Sequence, residues 1–327
     1  MGRIAITGTS SFLGGALLRR LVESQGAENV VSVDIASPPA AMHQVHRRLI
    51  DFTEPASDQR LLEAFREEDV DRVVHLAFTT SPRRDSAYAH ELESIGTLNI
   101  LGAAAAAGVG HLVLRSFTAV YGARGQNPNF LSEEHRLHAA SGHAWARDKV
   151  EAEGHAASFA KRYPALRVSV LRLAPLFGPG VRNFYTRIFD HRVVPVLMGY
   201  DPLVQLLHPD DALDALEAAL ELSPGGAFNI VPLGSVSLVT ALHLAEKIPA
   251  PVPHPLAYAG AQLLWASGVG QAPAGFVDYV RYPFLGDGAK AERELGFRAR
   301  HSSREALFAY LDYRHPAVHG RQVEAAS

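Results

Sequence analysis

Short apolar runs separated by amphipathic stretches set the pattern of the first half of the chain. Residues 4–7 form an apolar run that stops at a glycine turn. Residues 12–22 follow, with Leu13, Ala16, Leu17 and Leu21 at three- and four-residue spacing, which predicts a helix. Residues 30–34 predict a second, buried strand and residues 49–52 a shorter third one. A helix is expected over 59–66, with Leu62 and Phe65 on one face. Then come a fourth strand over 73–77, a long helix over 92–107 that stops at Gly108, a fifth strand over 112–116, an amphipathic helix over 145–161 and a sixth strand over 168–173. Strands and helices alternating at this spacing predict an α/β fold, a doubly wound parallel sheet with helices on both faces.

After Pro175 the rhythm loosens. Short strands over 204–207 and 228–231 are interleaved with helices over 210–222 and 238–247. A proline-rich stretch over 249–255 leads into residues 256–265, which are almost uniformly apolar. A buried helix is expected there; a lid over an apolar ligand and a contact with a membrane surface are the alternatives. The expected division is a sheet domain over 1–175, a smaller α/β lobe over 176–315 interleaved with the sheet edge, and a frayed tail over 316–327.

Composition narrows the chemistry. The 327 residues contain no Cys, so disulfides, thiolate zinc sites and Cys nucleophiles are excluded. A formal net charge of −3 gives no basic footprint for nucleic acid. The 16 His are scattered without H-E-x-x-H spacing, and no metal site is expected. No apolar stretch approaches the roughly 18 residues of a membrane span. The chain reads as strand from its first residues, leaving no room for a signal peptide, and a cytoplasmic location is the expectation.

The turn Gly8-Thr9-Ser10-Ser11-Phe12-Leu13-Gly14 follows a strand and opens a helix. In that context backbone N–H groups and the positive helix end hold a pyrophosphate, the signature of a Rossmann-type dinucleotide fold. Ser11 stands where the middle glycine of the spacing is expected. Its side chain either crowds the phosphates or donates a hydroxyl to them. Asp34 ends the second strand, 26 residues after Gly8, where a carboxylate accepts from both adenosine ribose hydroxyls and repels a 2′-phosphate. NAD is therefore expected over NADP. An ordinary strand-end Asp capping the next turn is the alternative. Asp51 is read either as an acceptor for an adenine amino group or as a helix N-terminal Asp.

Together these residues resemble the extended short-chain dehydrogenase/reductase superfamily, the NAD-dependent epimerase/dehydratase group, over nearly the whole chain. The resemblance continues through His75-Leu76-Ala77, Gly96-Thr97-Leu98-Asn99, Ala119-Val120-Tyr121-Gly122, Lys149 with Glu153, Arg172-Leu173-Ala174-Pro175 and Gly178-Pro179-Gly180. It extends to His208-Pro209-Asp210-Asp211, Phe228-Asn229-Ile230 and Asp287…Lys290…Glu294-Leu295-Gly296-Phe297. It implies a cofactor-contact set of Gly8, Ser10, Ser11, Phe12, Leu13, Gly14, Asp34, Asp51, Phe52, Leu76, Ala77, Phe78, Asn99, Ser116, Lys149 and Pro175. It also implies hydride chemistry at a carbinol or keto carbon. A Tyr transfers the proton, a Lys four residues later tunes it and holds the nicotinamide ribose, and a Ser or Thr bonds the substrate oxygen.

The departures fall on that chemistry. The family's Tyr position is Trp145, whose indole N–H only donates, although Lys149 is present. The Ser/Thr position, four residues before Tyr121, is Phe117. Thr118, Tyr121 and His143 are the candidate substitutes; His143 reaches the site only if its helix begins after it. Lys149 either donates to the cofactor ribose or pairs with Glu153 one turn on. Asn99 either orders the site or makes a helix-face hydrogen bond. Trp145 and Phe117 suggest an apolar floor. Two functions follow: an NAD(H)-binding oxidoreductase or epimerase of non-standard mechanism on a small hydroxyl or carbonyl compound, or a non-catalytic NAD-dependent sensor or interaction protein. The family also implies a homodimer through the helices over 92–107 and 145–161.

Overall fold

The computed structural model describes residues 2–37, 42, 44–138, 144–270 and 272–314. The first strand, β1 (Arg3–Thr7), runs into Gly8, whose φ of +74° lets the chain reverse. Helix α1 (Phe12–Gln25) starts at the N-cap Ser11, whose side chain accepts from the Gly14 amide. The chain continues through β2 (Val30–Asp34), β3 (His46–Leu49), α2 (Ser57–Glu67) and β4 (Val70–His75). Next come α3 (Ser86–His90), a π turn (Glu91–Ile95), α4 (Gly96–Ala107), β5 (His111–Phe117), α5 (Ala144–Arg162) and β6 (Arg167–Leu173).

Seven parallel strands form the main sheet in the order β3-β2-β1-β4-β5-β6-β9. Its last member, β9 (Gly226–Ile230), comes from beyond residue 175. Successive side chains of a strand point to opposite faces. Ile4 and Ile6 therefore join one core under α1 and the helix α7 (Pro209–Leu222), with Leu13, Leu17, Leu213 and Leu216. Ala5, Val31, Val33 and Val73 join the other, under α2, α4 and α5, with Leu61, Phe65, Ile100 and Leu101. Both faces are covered, which is why the strands read as continuous apolar runs. Strand order reverses between β1 and β4, and a ligand crevice opens beyond the strand ends at such a point.

The smaller elements are α6 (Phe184–Ile188), β7 (Val193–Leu197), β8 (Leu203–Val204), β10 (Val236–Ser237), α8 (Leu238–Leu244), β11 (Ile248–Val252), α9 (His254–Ala266), α10 (Ala289–Leu295) and α11 (Ser303–Arg314). Two-stranded pairs β7–β11 and β8–β10 lie beside the main sheet.

Four expectations are corrected. The third strand lies at His46–Leu49, not 49–52: it is an edge strand, and Arg48 and His46 pair with the buried Glu68 at 2.6 and 2.9 Å, so its pattern is not apolar. Ile50 and Phe52 are buried beyond its end. The fourth strand ends at His75, so Leu76 and Ala77 lie beyond it; Ala77 lines the crevice, whereas Leu76, an expected cofactor contact, is fully buried in the core and does not. The helix expected from 92 begins at Ser86 and passes through the π turn. The expected buried helix over 256–265 is exposed: no residue of α9 is buried, and Leu256 and Leu263 are 64% and 71% accessible. It is held mainly through the turn at Ala274–Val280 and by Arg84, which donates to the carbonyls of Trp265 (2.6 Å) and Gly270 (2.9 Å). The tail expected over 316–327 lies outside the described residues. Among the described residues no helix is long and apolar enough to cross a membrane.

Candidate functional site: a crevice and an adjoining apolar pocket

The reversal of strand order opens a crevice of about 560 Å³. Gly8, Ser10, Ser11, Phe12, Asp34, Phe52, Ala77 and Phe78 line it, eight of the predicted contacts. Two glycines make it possible. A Cβ on Gly8 would fall 2.7 Å from the Ala77 amide nitrogen, and one on Gly14 would strike the Gly8 carbonyl. Only hydrogen at these positions lets β1, α1 and the loop after β4 close on one another. Ser11 Oγ accepts from the Gly14 amide at 3.1 Å, so its own hydroxyl hydrogen stays free to donate. The first-turn amides of Phe12 and Leu13 have no partner inside the helix.

Asp34 is buried and organises the turn. Its carboxylate accepts from the Ser10 amide (2.7 Å), the Ser10 hydroxyl (3.0 Å) and the Ala36 amide (3.3 Å). The Thr9 hydroxyl lies a further 3.5 Å from Oδ2, so four donors of the turn face this one carboxylate. Asp51 instead closes its own turn, accepting from the amide and hydroxyl of Thr53 at 2.9 and 2.7 Å. Asn99 donates to Ser57 Oγ at 3.0 Å, the helix-face alternative. Arg182 and Arg187 also line the crevice, and their side chains make no hydrogen bond or ion pair among the described residues. Sequence reading missed both; Arg182, two residues after Gly180, was the available signal.

An apolar pocket of about 70 Å³ adjoins the crevice and shares Ser11, Phe12, Thr80 and Arg182 with it. Leu13 and Pro175 line this pocket, with Phe117, Thr118 and Trp145. The expected floor is present: the Phe117 and Trp145 rings lie 5.8 Å apart, and Phe276 packs 5.4 Å from Trp145. The Trp145 N–H donates to the Thr79 carbonyl at 3.1 Å. Thr118 makes no side-chain hydrogen bond among the described residues. Tyr121 does not reach the pocket; its hydroxyl is buried between Arg172 (2.8 Å) and Asn229 (2.7 Å), and burial raises its pKa. His143 lies outside the described residues.

The surroundings of Lys149 differ from both readings of the sequence. Glu153, its expected helix partner, instead binds Arg172 through three contacts of 2.7–3.1 Å and accepts from Ser116 at 2.5 Å. Ser116 is thereby spent inside this network rather than on the crevice. Lys149 Nζ pairs with Glu93 Oε2 at 2.6 Å, with both side chains buried. Three aromatic rings surround the ammonium, Trp145 at 4.2 Å, Phe117 at 4.9 Å and Phe78 at 5.8 Å. Burial lowers the Lys149 pKa to about 8, against the opposing pull of Glu93. Glu93 also accepts from the amide (2.7 Å) and hydroxyl of Thr79. The π turn places Glu93 here, an irregularity that helical periodicity does not reveal.

His75 fastens the floor of the crevice. Its Nδ1 lies 2.6 Å from Thr7 Oγ1 and its Nε2 3.1 Å from Thr97 Oγ1. Because the Thr97 hydroxyl donates to the Glu93 carbonyl, Nε2 must carry the proton and Nδ1 accepts from Thr7. Burial lowers the His75 pKa to about 3. Elsewhere His90, Asp148 and Glu151 come together, a cluster the sequence reading did not foresee; His90 Nδ1 is already paired with Asp148 Oδ1 at 3.0 Å.

Residues 4–231 match the model of the NAD dependent epimerase/dehydratase family. An uncharacterized protein of Mycobacterium tuberculosis is 30% identical over 311 residues, covering 94% of this chain and 83% of its own length. Among solved structures, MoeE5 in complex with UDP-glucuronic acid and NAD superposes with a TM-score of 0.75 at 23% identity, over 97% of this chain and 100% of that one. UDP-glucose 4-epimerase of Thermus thermophilus, solved with NAD, superposes with a TM-score of 0.73 at 20% identity, over 97% and 100% of the two chains. These likenesses establish a shared fold.

Proposed function

We propose that this chain, which belongs to the NAD dependent epimerase/dehydratase family, binds NAD(H) in the crevice and acts on a small hydroxyl or carbonyl compound without the family's Tyr and Ser/Thr pair. The observation that carries the reading is the glycine turn held against Asp34 at the reversal of strand order. The residues present fit a dinucleotide. The Phe12 and Leu13 amides and the Ser11 hydroxyl face a pyrophosphate, and Arg182 and Arg187 balance its charge. Asp34 takes the adenosine ribose hydroxyls, and Phe52, Ala77 and Phe78 flank the adenosine. Several relatives were solved with NAD.

When bound, the nicotinamide supplies hydride transfer. In this reading Trp145 holds the family's Tyr position and Phe117 its Ser/Thr position. The Trp145 N–H is committed to Thr79, and an indole does not exchange a proton near neutral pH. Thr118, which lines the pocket beside Phe117, is the hydroxyl we assign to the substrate oxygen, ahead of Thr80 and Tyr185 in the same lining. Lys149, held by Glu93, positions the floor rather than the ribose. That commitment favours a second reading, an NAD(H)-responsive binding protein without turnover. The two separate on one experiment. An enzyme changes the NADH absorbance in the presence of a carbonyl panel and loses that rate in Thr118→Val. A sensor binds NADH and never oxidises it. A homodimer through α4 and α5 is proposed with either reading, and light scattering on the purified protein tests it.

A further inference from the structure

Arg115 is buried on β5, two residues before Phe117, and so on the same face of the strand. Its guanidinium lies under the Phe117 ring, 4.6 Å from the centroid, and lines the apolar pocket. Among the described residues it makes no hydrogen bond and no ion pair, and its Nε is enclosed with no partner. Among the described residues the acid acting on it electrostatically is Glu93, which Lys149 already holds at 2.6 Å. Glu93 is thus committed to Lys149, on which the buried Asp148 also acts, and the Arg115 guanidinium beneath Phe117 is left with no directly bonded carboxylate among the described residues. A guanidinium keeps its charge in proteins, so the lack of a bonded partner cannot be relieved by losing a proton.

We propose that the pocket between the glycine turn and Trp145 binds a small organic carboxylate with an apolar body, Arg115 being its counterion. The guanidinium fork presents parallel N–H donors that match a carboxylate's two oxygens. A single guanidinium without a bonded partner, in a region that also holds the buried carboxylates Glu93 and Asp148, suits a monoanion better than a doubly charged phosphate. The walls, Phe117, Trp145, Tyr185, Phe276 and Leu176, are apolar or aromatic, so the rest of the ligand must shed water on entry. Because the pocket shares Ser11 and Phe12 with the crevice, the carboxylate would lie beside the dinucleotide. In naming a substrate class for that site the inference rests on the proposed function; in naming a binding site it stands alone.

The test is calorimetric titration of the full chain, without dinucleotide, with butanoate, hexanoate and octanoate, with their primary amides, and with inorganic phosphate. At least one carboxylate is expected to bind tenfold or more tightly than its amide. Arg115→Met should cut that preference below twofold. The acid-to-amide ratio in the unaltered protein stands by itself if this variant does not fold. Equal binding of acid and amide, binding of neither, or a preference that survives Arg115→Met overturns the proposal. Phosphate binding as tightly as the best carboxylate also overturns it, marking a bare-anion site. NAD is titrated separately. Failure of NAD alone defeats the cofactor reading and leaves the carboxylate site standing, and the reverse holds as well.

Discussion

Lys149 and Glu93 form a buried ion pair at 2.6 Å that ties α5 to the π turn and, through Thr79, to the loop after β4. Breaking a buried pair by removing one partner leaves the other charge stranded, typically at a cost of about 3–5 kcal/mol. Glu93→Gln should therefore lower the urea unfolding free energy by about that amount. The paired change Glu93→Leu with Lys149→Met should recover most of the loss. Equal destabilisation by the single and double variants would show that the pair does not couple these elements.

Asp34 offers a second handle. Asn at this position keeps an acceptor for the Ser10 amide but loses the charge that excludes a 2′-phosphate. Hydrogen bonds to charged groups contribute about 1.5–3 kcal/mol, roughly tenfold or more in affinity. Asp34→Asn should narrow the preference for NADH over NADPH by about tenfold in paired titrations. An unchanged ratio would remove Asp34 from ribose recognition.

Stability should depend on pH through His75. Its folded pKa, about 3, lies below the ordinary value of 6.5, so the neutral ring is the form the fold accepts. The contribution is complete above about pH 6.5. It is lost as pH falls toward 3, because the unfolded chain takes up the proton first. His111, lowered to about 4 by burial, acts in the same direction. Each group contributes a slope approaching about 1.4 kcal/mol per pH unit within its window. Urea midpoints between pH 7 and 5 should fall, and His75→Gln should flatten the trend. A midpoint that does not move between pH 7 and 5 contradicts the assignment.

The reading of Trp145 and Phe117 as the family's catalytic positions makes a gain-of-function prediction. Trp145→Tyr with Phe117→Ser restores a proton donor and a substrate-oxygen ligand, and positioned acid–base groups contribute about 10²–10⁴ in rate. Carbonyl-dependent NADH oxidation should appear or rise on that scale. A double variant that binds NADH yet reduces nothing on a broad panel would show that these positions are misassigned.

The alternating strands, the glycine turn and the crevice residues from Gly8 to Phe78 were legible because each depends on local pattern. A buried parallel strand must be apolar, and a close backbone approach must use glycine. What escaped depends on partners distant in sequence. Glu153 stood at the right spacing for Lys149, but Arg172, 19 residues away on β6, claims it. Glu93 reaches Lys149 only because a π turn breaks the helical register. The edge strand at His46–Leu49 is polar since Glu68 satisfies it, and α9 is apolar without being buried. Composition reports hydrophobicity; it does not report what stands opposite.

Calorimetric titration of the purified protein with NAD, NADH and NADPH tests the central claim most directly. Micromolar binding of NAD or NADH, with NADPH at least tenfold weaker, is the predicted result. Absence of heat with all three dinucleotides would contradict it and leave the glycine turn with a structural role alone.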